Sequence, residues 1–273
     1  MNVFKINIIS LLISTIIAFI GTPFIFNMLK DGDCLCLNYK KESIPSSMGL
    51  LFVIVQTITV VLIGLYVKKD LIIIMLYLVG FILIGLVGLL DDLIGDEKVK
   101  GFKGHIKSFF KGTLTTGGLK AGIGFLIALI ISIYISNGVL EVVVNTLVIA
   151  LFTNLINLFD LRPGRASKVF VIMSIILMLT SIDNYFSFIL FSFFGILIKY
   201  LPMDLKAKCM MGDVGSNTLG LTLGVYCAYT HSLNSKIIYL AILIIVQMLS
   251  EAISFSKVIE KNKFLRFIDN LGR

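Results

Sequence analysis

The chain has 273 residues, 58% of them apolar and only 15% charged, with a mean hydropathy of +1.00. These proportions exclude an ordinary soluble domain and fit a protein whose surroundings are largely bilayer. The formal charge of +8 would suggest nucleic acid in a soluble protein. Here the basic residues gather between apolar runs, so no nucleic-acid partner is expected.

The apolar runs match helices of about 17–25 residues rather than the alternating strands of a barrel. Spans are predicted at about 4–29, 47–67, 71–90, 119–136, 139–156, 168–182, 185–201, 216–233 and 237–256. The expected fold is all-α and polytopic, with about nine transmembrane helices and functional loops on the cytoplasmic side. The first run is too long for a signal peptide and lacks a small-residue cleavage site, so it reads as a retained helix. With this helix count, all but four of the 24 Lys and Arg residues fall on one side or at the adjoining span ends. The exceptions are Lys5, Lys68, Lys69 and Lys236. That asymmetry places the N-terminus outside and the C-terminus in the cytoplasm. Residues 1–256 form one transmembrane domain, and 257–273 an amphipathic tail lying on the inner membrane surface. Cys34, Cys36, Cys209 and Cys227 do not suggest a disulfide framework, and Cys34-Leu35-Cys36 has the wrong spacing for a zinc knuckle.

In the first cytoplasmic loop, Pro45 and Gly49 predict a turn before the second helix. The third span ends in Asp91 and Asp92, followed by a lysine-rich stretch. Adjacent carboxylates repel, so they are either solvated at a polar helix end or hold a cation such as Mg²⁺ against a phosphate. Lys107, Lys111 and Lys120 are the cations nearby, among threonines and glycines that suit either a polar ligand or close helix packing. The fifth span ends in TNLINLFDLRPGRASK, where Asn154 and Asn157 share a helix face that Asp160 continues. Such groups should line an interior, as a site or as glue between helices. Arg162 and Arg165 flank Pro163-Gly164, suited to phosphate or to stopping a helix at the headgroups. In GDVGSN, Asp213 lies between Gly212 and Gly215, with Ser216 and Asn217 opening the next span. Glycines here let backbone N–H groups approach an anion or a metal-bound phosphate, or simply mark a capped helix. A small-residue face continues through Gly220 and Gly224.

Three loops thus bring four aspartates and many cations to one side, which is what phosphoryl transfer at a membrane surface requires. A transporter is the alternative, with interior Asn and Asp residues as a substrate path. It would place such residues at both faces, whereas here they concentrate on one.

In order along the chain, Pro45 to Gly49, Asp91-Asp92, NxxNxxD at Asn154, Asn157 and Asp160, and GDxGS at Gly212 to Ser216 resemble the motifs of a known family. That family is the polyprenyl-phosphate N-acetylhexosamine-1-phosphate transferases, which include phospho-N-acetylmuramoyl-pentapeptide transferase of peptidoglycan synthesis. The resemblance implies a Mg²⁺-dependent transfer from a UDP-linked amino sugar to undecaprenyl phosphate or a similar lipid, releasing UMP, in cell-wall or surface-polymer synthesis. It implies Asp213 as principal metal ligand, Asp92 as base toward the lipid phosphate, and Asp91 and Asp160 as partners in metal or substrate binding. Lys120 resembles the family's basic residue, with Lys107 and Lys111 as rivals. Asn154, Asn157, Arg162, Arg165, Gly215 and Ser216 would contact substrate. A homodimer in a bacterial plasma membrane is in keeping with the resemblance. The chain departs from the family where Asp160 is followed by Leu161-Arg162-Pro163-Gly164-Arg165, in PMDLKAK, and in lacking the histidine-rich loop and last span. The departures point to a divergent subgroup with a different sugar, or to an inactive relative serving as scaffold. The four retained aspartates favour an active transferase.

Overall fold

The computed structural model describes residues 2–95, 108, 112–182 and 185–273. In order, α1 (Val3–Asp31) leads to β1 (Leu35–Leu37) and β2 (Ser43–Pro45), then α2 (Leu50–Val67), α3 (Leu71–Ile94), α4 (Thr116–Ile135), α5 (Val139–Phe159) and α6 (Arg165–Thr180). A 3-10 turn (Tyr185–Ser187) opens α7 (Phe188–Leu205), followed by α8 (Gly212–Thr230), α9 (Leu233–Ala252), α10 (Phe255–Lys261) and α11 (Lys263–Asn270).

Among the described residues, seven helices are long and apolar enough to cross a membrane: α1 to α5, α7 with its leading turn, and α9. The protein is therefore all-α in class, largely helical, and of polytopic membrane type. The other two predicted spans coincide with α6 and α8, which fall short for different reasons. α6 has 16 residues, a length of about 24 Å against roughly 30 Å of hydrocarbon. α8 is rich in Gly, Thr and Ser and is buried along almost its whole length. A helix enclosed by other helices needs no apolar surface for lipid, and small residues let its neighbours come close.

α8 is the axis of the bundle. It lies against α3, α5 and α6, with α2 nearby, while α1 packs on α2 and α7, α4 bridges α3 and α5, and α9 covers α5. The contact with α5 is backbone to backbone. A Cβ at Gly220 would stand 2.5 Å from Thr153 Cα, and one at Gly224 would stand 2.7 Å from Ile149 Cα. Between α2, α3, α7 and α8 the apolar core holds a closed polar network. Gln56 Nε2 donates to Tyr77 Oη at 3.0 Å and to the Ile189 carbonyl at 3.0 Å, and Tyr77 Oη meets Thr222 Oγ1 at 2.9 Å. With these bonds made, the buried amide avoids the cost of an unpaired polar group in a low dielectric.

The sequence predicts only a turn between the first two spans, and the structure adds an antiparallel hairpin, with Cys36 opposite Ile44. Asn38 closes it: its Oδ1 accepts from Lys40 N at 2.9 Å and Glu42 N at 3.0 Å, an arrangement favoured by Asn at turns. The hairpin is then sewn to the segment before α8. Met210 N donates to the Pro45 carbonyl, Met48 N to the Met210 carbonyl and Gly49 N to the Met211 carbonyl, each at 2.9 Å. Gly49 is required by this approach, since a Cβ there would lie 2.2 Å from Gly215 N.

The tail folds back on the α5–α6 corner. Phe255 stacks on Phe159 with centroids 5.4 Å apart. Buried Arg165 grips Asp269 through two bonds, Nε to Oδ1 at 2.8 Å and Nη2 to Oδ2 at 2.9 Å, and its Nη1 donates to Ser256 Oγ at 2.9 Å. Lys168 Nζ donates to the carbonyls of Ile268 and Asp269, and Arg273 Nε to that of Pro163. Burial pushes the Asp269 carboxyl up, but the bonds and charges of Arg165 and Arg273 outweigh it and hold the group below the usual carboxylate range.

Two outcomes follow for stability in detergent. Gly49→Ala is expected to destabilise by about 1–3 kcal/mol through forced backbone separation, whereas Gly122→Ala, with nothing within 4 Å of its Cβ, is expected to leave the melting temperature unchanged or slightly raised. Equal melting temperatures for the two variants would refute the packing argument. Because the folded-state pKa of Asp269 is depressed, its ionised form stabilises fully above the unfolded value of about 3.9 and loses that effect as pH falls through the folded value. The stability gap between wild type and Asp269→Asn should therefore hold steady from pH 7 to about 5 and close below it; a gap that widens on acidification contradicts the clamp.

Candidate functional site

The last turn of α3, the first turns of α4 and α8, and the last turn of α5 meet at one end of the bundle. α3 carries Asp91 and Asp92 there because the close contact of Gly88 with Val214 brings α3 against the start of α8; a Cβ at Gly88 would lie 2.7 Å from Val214 Cα. Asp92 then turns inward. Its Oδ1 accepts from Asp213 N at 2.7 Å, its Oδ2 from Val214 N at 3.4 Å and from Ser47 Oγ at 2.9 Å. The N–H groups exposed by the GDxGS glycines do bind an anion, and that anion is a carboxylate of the same chain. Gly212 makes room for it: its φ is +69°, and a Cβ would lie 2.2 Å from Asp92 Oδ2.

Asp91 and Asp213 face each other across Lys120. Lys120 Nζ donates to Asp91 Oδ2 at 2.9 Å and also to Asp213 Oδ2. The three side chains are 23% (Lys120), 18% (Asp91) and 25% (Asp213) exposed, so solvent reaches the site through a restricted opening. Asn157 Nδ2 donates to Asp213 Oδ1 at 3.1 Å and lies 3.4 Å from Asn217 Oδ1. The Ser216 hydroxyl and the Asn217 amide nitrogen are buried without a hydrogen-bond partner among the described residues.

Asp160 occupies a neighbouring recess of about 240 Å³ shared with Asn38, Tyr39, Arg162, Asp204 and Cys209. Burial pushes its carboxyl well above the usual range, and the negative charges of Asp204, Asp213 and Asp92 push it further. Buried Asp204 accepts from Ser167 Oγ at 3.2 Å.

The structure therefore gathers Asp91, Asp92, Lys120, Asn157 and Asp213 directly, with Asp160 alongside. It sends the others elsewhere. Asn154 donates to Gln247 on α9, since on α5 it faces α9 while Asn157 faces α8. Arg162 pairs with Glu260 at 3.2 Å and Arg165 with Asp269, so both guanidinium groups hold the tail. Gly215 is a packing contact against Gly49, and Ser216 is fully buried. Lys107 and Lys111 lie outside the described residues. Ser47, Asn217 and Asp204 are additions. Ser47 and Asn217 adjoin motifs legible in the sequence, whereas nothing near Asp204 marks it.

Among the described residues, no three His, Cys, Asp or Glu side chains stand close enough to hold a metal by themselves. The donors at hand are the Asp91 and Asp213 carboxylates with amide oxygens. That set suits a hard cation such as Mg²⁺, which takes one or two carboxylates and completes its shell with water and phosphate. Lys120 already bridges the pair of carboxylates as a cation would.

A family model described as glycosyl transferase family 4 matches residues 73–231. No curated protein matches the chain. The matched region runs from α3 through α8 and includes every residue around Lys120 except Ser47. With more than half of its length covered, this helical membrane-type protein belongs to glycosyl transferase family 4, a family of transferases.

Proposed function

We propose that the protein transfers an N-acetylhexosamine 1-phosphate, or a related sugar phosphate, from a UDP-sugar to a membrane polyprenyl phosphate and releases UMP. The observation that carries this reading is the convergence of Asp91 and Asp213 on Lys120 at one end of the bundle, with Asn157 bonded to Asp213. α6 and α8 complete nine crossings, and the site faces the cytoplasm, on the side that carries all but four of the 24 Lys and Arg residues.

An oxygen of the lipid phosphate attacks the sugar-bearing phosphorus of the donor. A bond forms between them, the bond from that phosphorus to the bridging oxygen breaks, and the bridging oxygen leaves on UMP. The second pKa of a phosphate monoester is about 6, so the attacking oxygen is already ionised at neutral pH and needs no strong base. Asp92, with both oxygens bonded within the fold, serves instead to hold Asp213 in place. Lys120 sets a positive charge where the diphosphate must be received and offsets its growing negative charge in a restricted, partly dry opening. Asp91 and Asp213 are the residues that would hold Mg²⁺, whose chemistry is to polarise the phosphorus and neutralise the departing phosphate. Asn157 orients Asp213, and Asp160 faces the adjoining recess, where it can accept hydrogen bonds from hydroxyl or amide groups of the sugar.

The test is exchange of radiolabelled UMP by purified protein with undecaprenyl phosphate, Mg²⁺ and a panel of UDP-N-acetylhexosamines. Exchange with a subset of donors is expected, abolished by EDTA and restored by added Mg²⁺. Asp213→Asn and Lys120→Gln should each lower the rate by about 100-fold or more in protein whose circular dichroism remains helical. Folded wild-type protein that exchanges with no donor would sink the proposal.

A further inference from the structure

α11 has two unlike faces. Asp269 points into the protein and is held by Arg165 and Arg273, while Phe264, Phe267 and Leu271, spaced three and four apart, point away and are 68%, 65% and 58% exposed. These three large apolar side chains are left uncovered among the described residues, and burying them is favourable wherever an apolar phase is adjacent. One is adjacent: α9, a candidate span, ends at Ala252, and α10 begins at Phe255. The tail thus leaves the bilayer with almost no slack and runs along its edge.

The charges at the margins of this face specify which surface. Lys257, Lys261, Lys263 and Arg266 are exposed and form no ion pair among the described residues. Both acids of the tail are spent on protein contacts, Glu260 on Arg162 and Asp269 on Arg165. The tail therefore presents a purely cationic rim around an apolar strip. We infer that α10 and α11 form a docking surface for anionic membrane lipid, with Phe264, Phe267 and Leu271 entering the headgroup–acyl boundary and Lys257, Lys261, Lys263 and Arg266 meeting lipid phosphates. The opposite face, clamped through Asp269 and Ser256 to Arg165, joins this lipid contact to the α5–α6 corner that carries Asp160. The inference rests on the membrane spans alone and stands apart from the reaction proposed above.

The experiment is hydrogen–deuterium exchange of the full chain in nanodiscs loaded with one copy each, in phosphatidylcholine alone or mixed with phosphatidylglycerol. Residues 263–271 should exchange about tenfold more slowly in the mixed lipid, and high salt should shrink the difference. Lys261→Glu, Lys263→Glu and Arg266→Glu combined should erase the lipid dependence, and these exposed positions leave the Asp269 clamp intact. Phe264→Ser with Phe267→Ser should speed exchange in both lipids. Equal exchange of wild type in the two lipids, or slowing that survives the charge reversal, overturns the inference. Slowing confined to discs holding two copies also overturns it and assigns the face to a second copy of the chain.

Discussion

The carboxylate of Asp92 is the constraint on which the rest of the site depends. One side chain accepts from the N–H groups of Asp213 and Val214 in the first turn of α8, takes the Ser47 hydroxyl, and fills the space that Gly212 leaves open. It ties the end of α3 to the hairpin loop and to the start of the central helix. Asp213 is thereby presented toward Asp91 at a separation that one ammonium group can bridge. A negative charge at a helix N-terminus is favourable in itself, and here the same contact fixes the register of three segments far apart in the chain.

α8 shows how a membrane protein can bury a helix rich in small and hydroxyl residues. Its glycines and hydroxyl residues pack against α5 with backbones in contact, and Thr218 and Thr222 return their hydroxyls to carbonyls one turn back. Enclosure by other helices removes the need for apolar side chains, which the surrounding α1, α4 and α9 supply on their lipid-facing sides. The polar end of such a helix can hold Asp213 and Asn217 at the mouth of the bundle without exposing either to hydrocarbon.

The tail solves a different problem. The corner after Asp160 contains Pro163 and a left-handed Gly164, so it cannot be stiffened by a continuous helix. Arg165, Lys168 and Arg273 stiffen it from outside by bonding the tail across it. Arg162 and Arg165 suggest phosphate binding in the sequence, whereas in the structure Arg165 holds the corner through planar, bidentate bonding to Asp269 and Arg162 through a single bond to Glu260.

The sequence by itself determined the helical, membrane-type architecture and the clustering of aspartates in loops that share a side, because run length and charge placement are one-dimensional consequences of bilayer thickness and headgroup potential. Only the tertiary structure decided what each aspartate meets. Asn154 and Asn157 are nearly equivalent in a helical projection, yet one meets α9 and the other α8, since the pair lies on α5 where two different helices cover adjoining stripes. Asp91 and Asp92 are chain neighbours that turn apart, one to Lys120 and one to the start of α8. Periodicity says which side chains share a face; what lies opposite that face depends on how helices distant in sequence pack, and hydrogen bonds of about 3 Å act only between groups which that packing brings together.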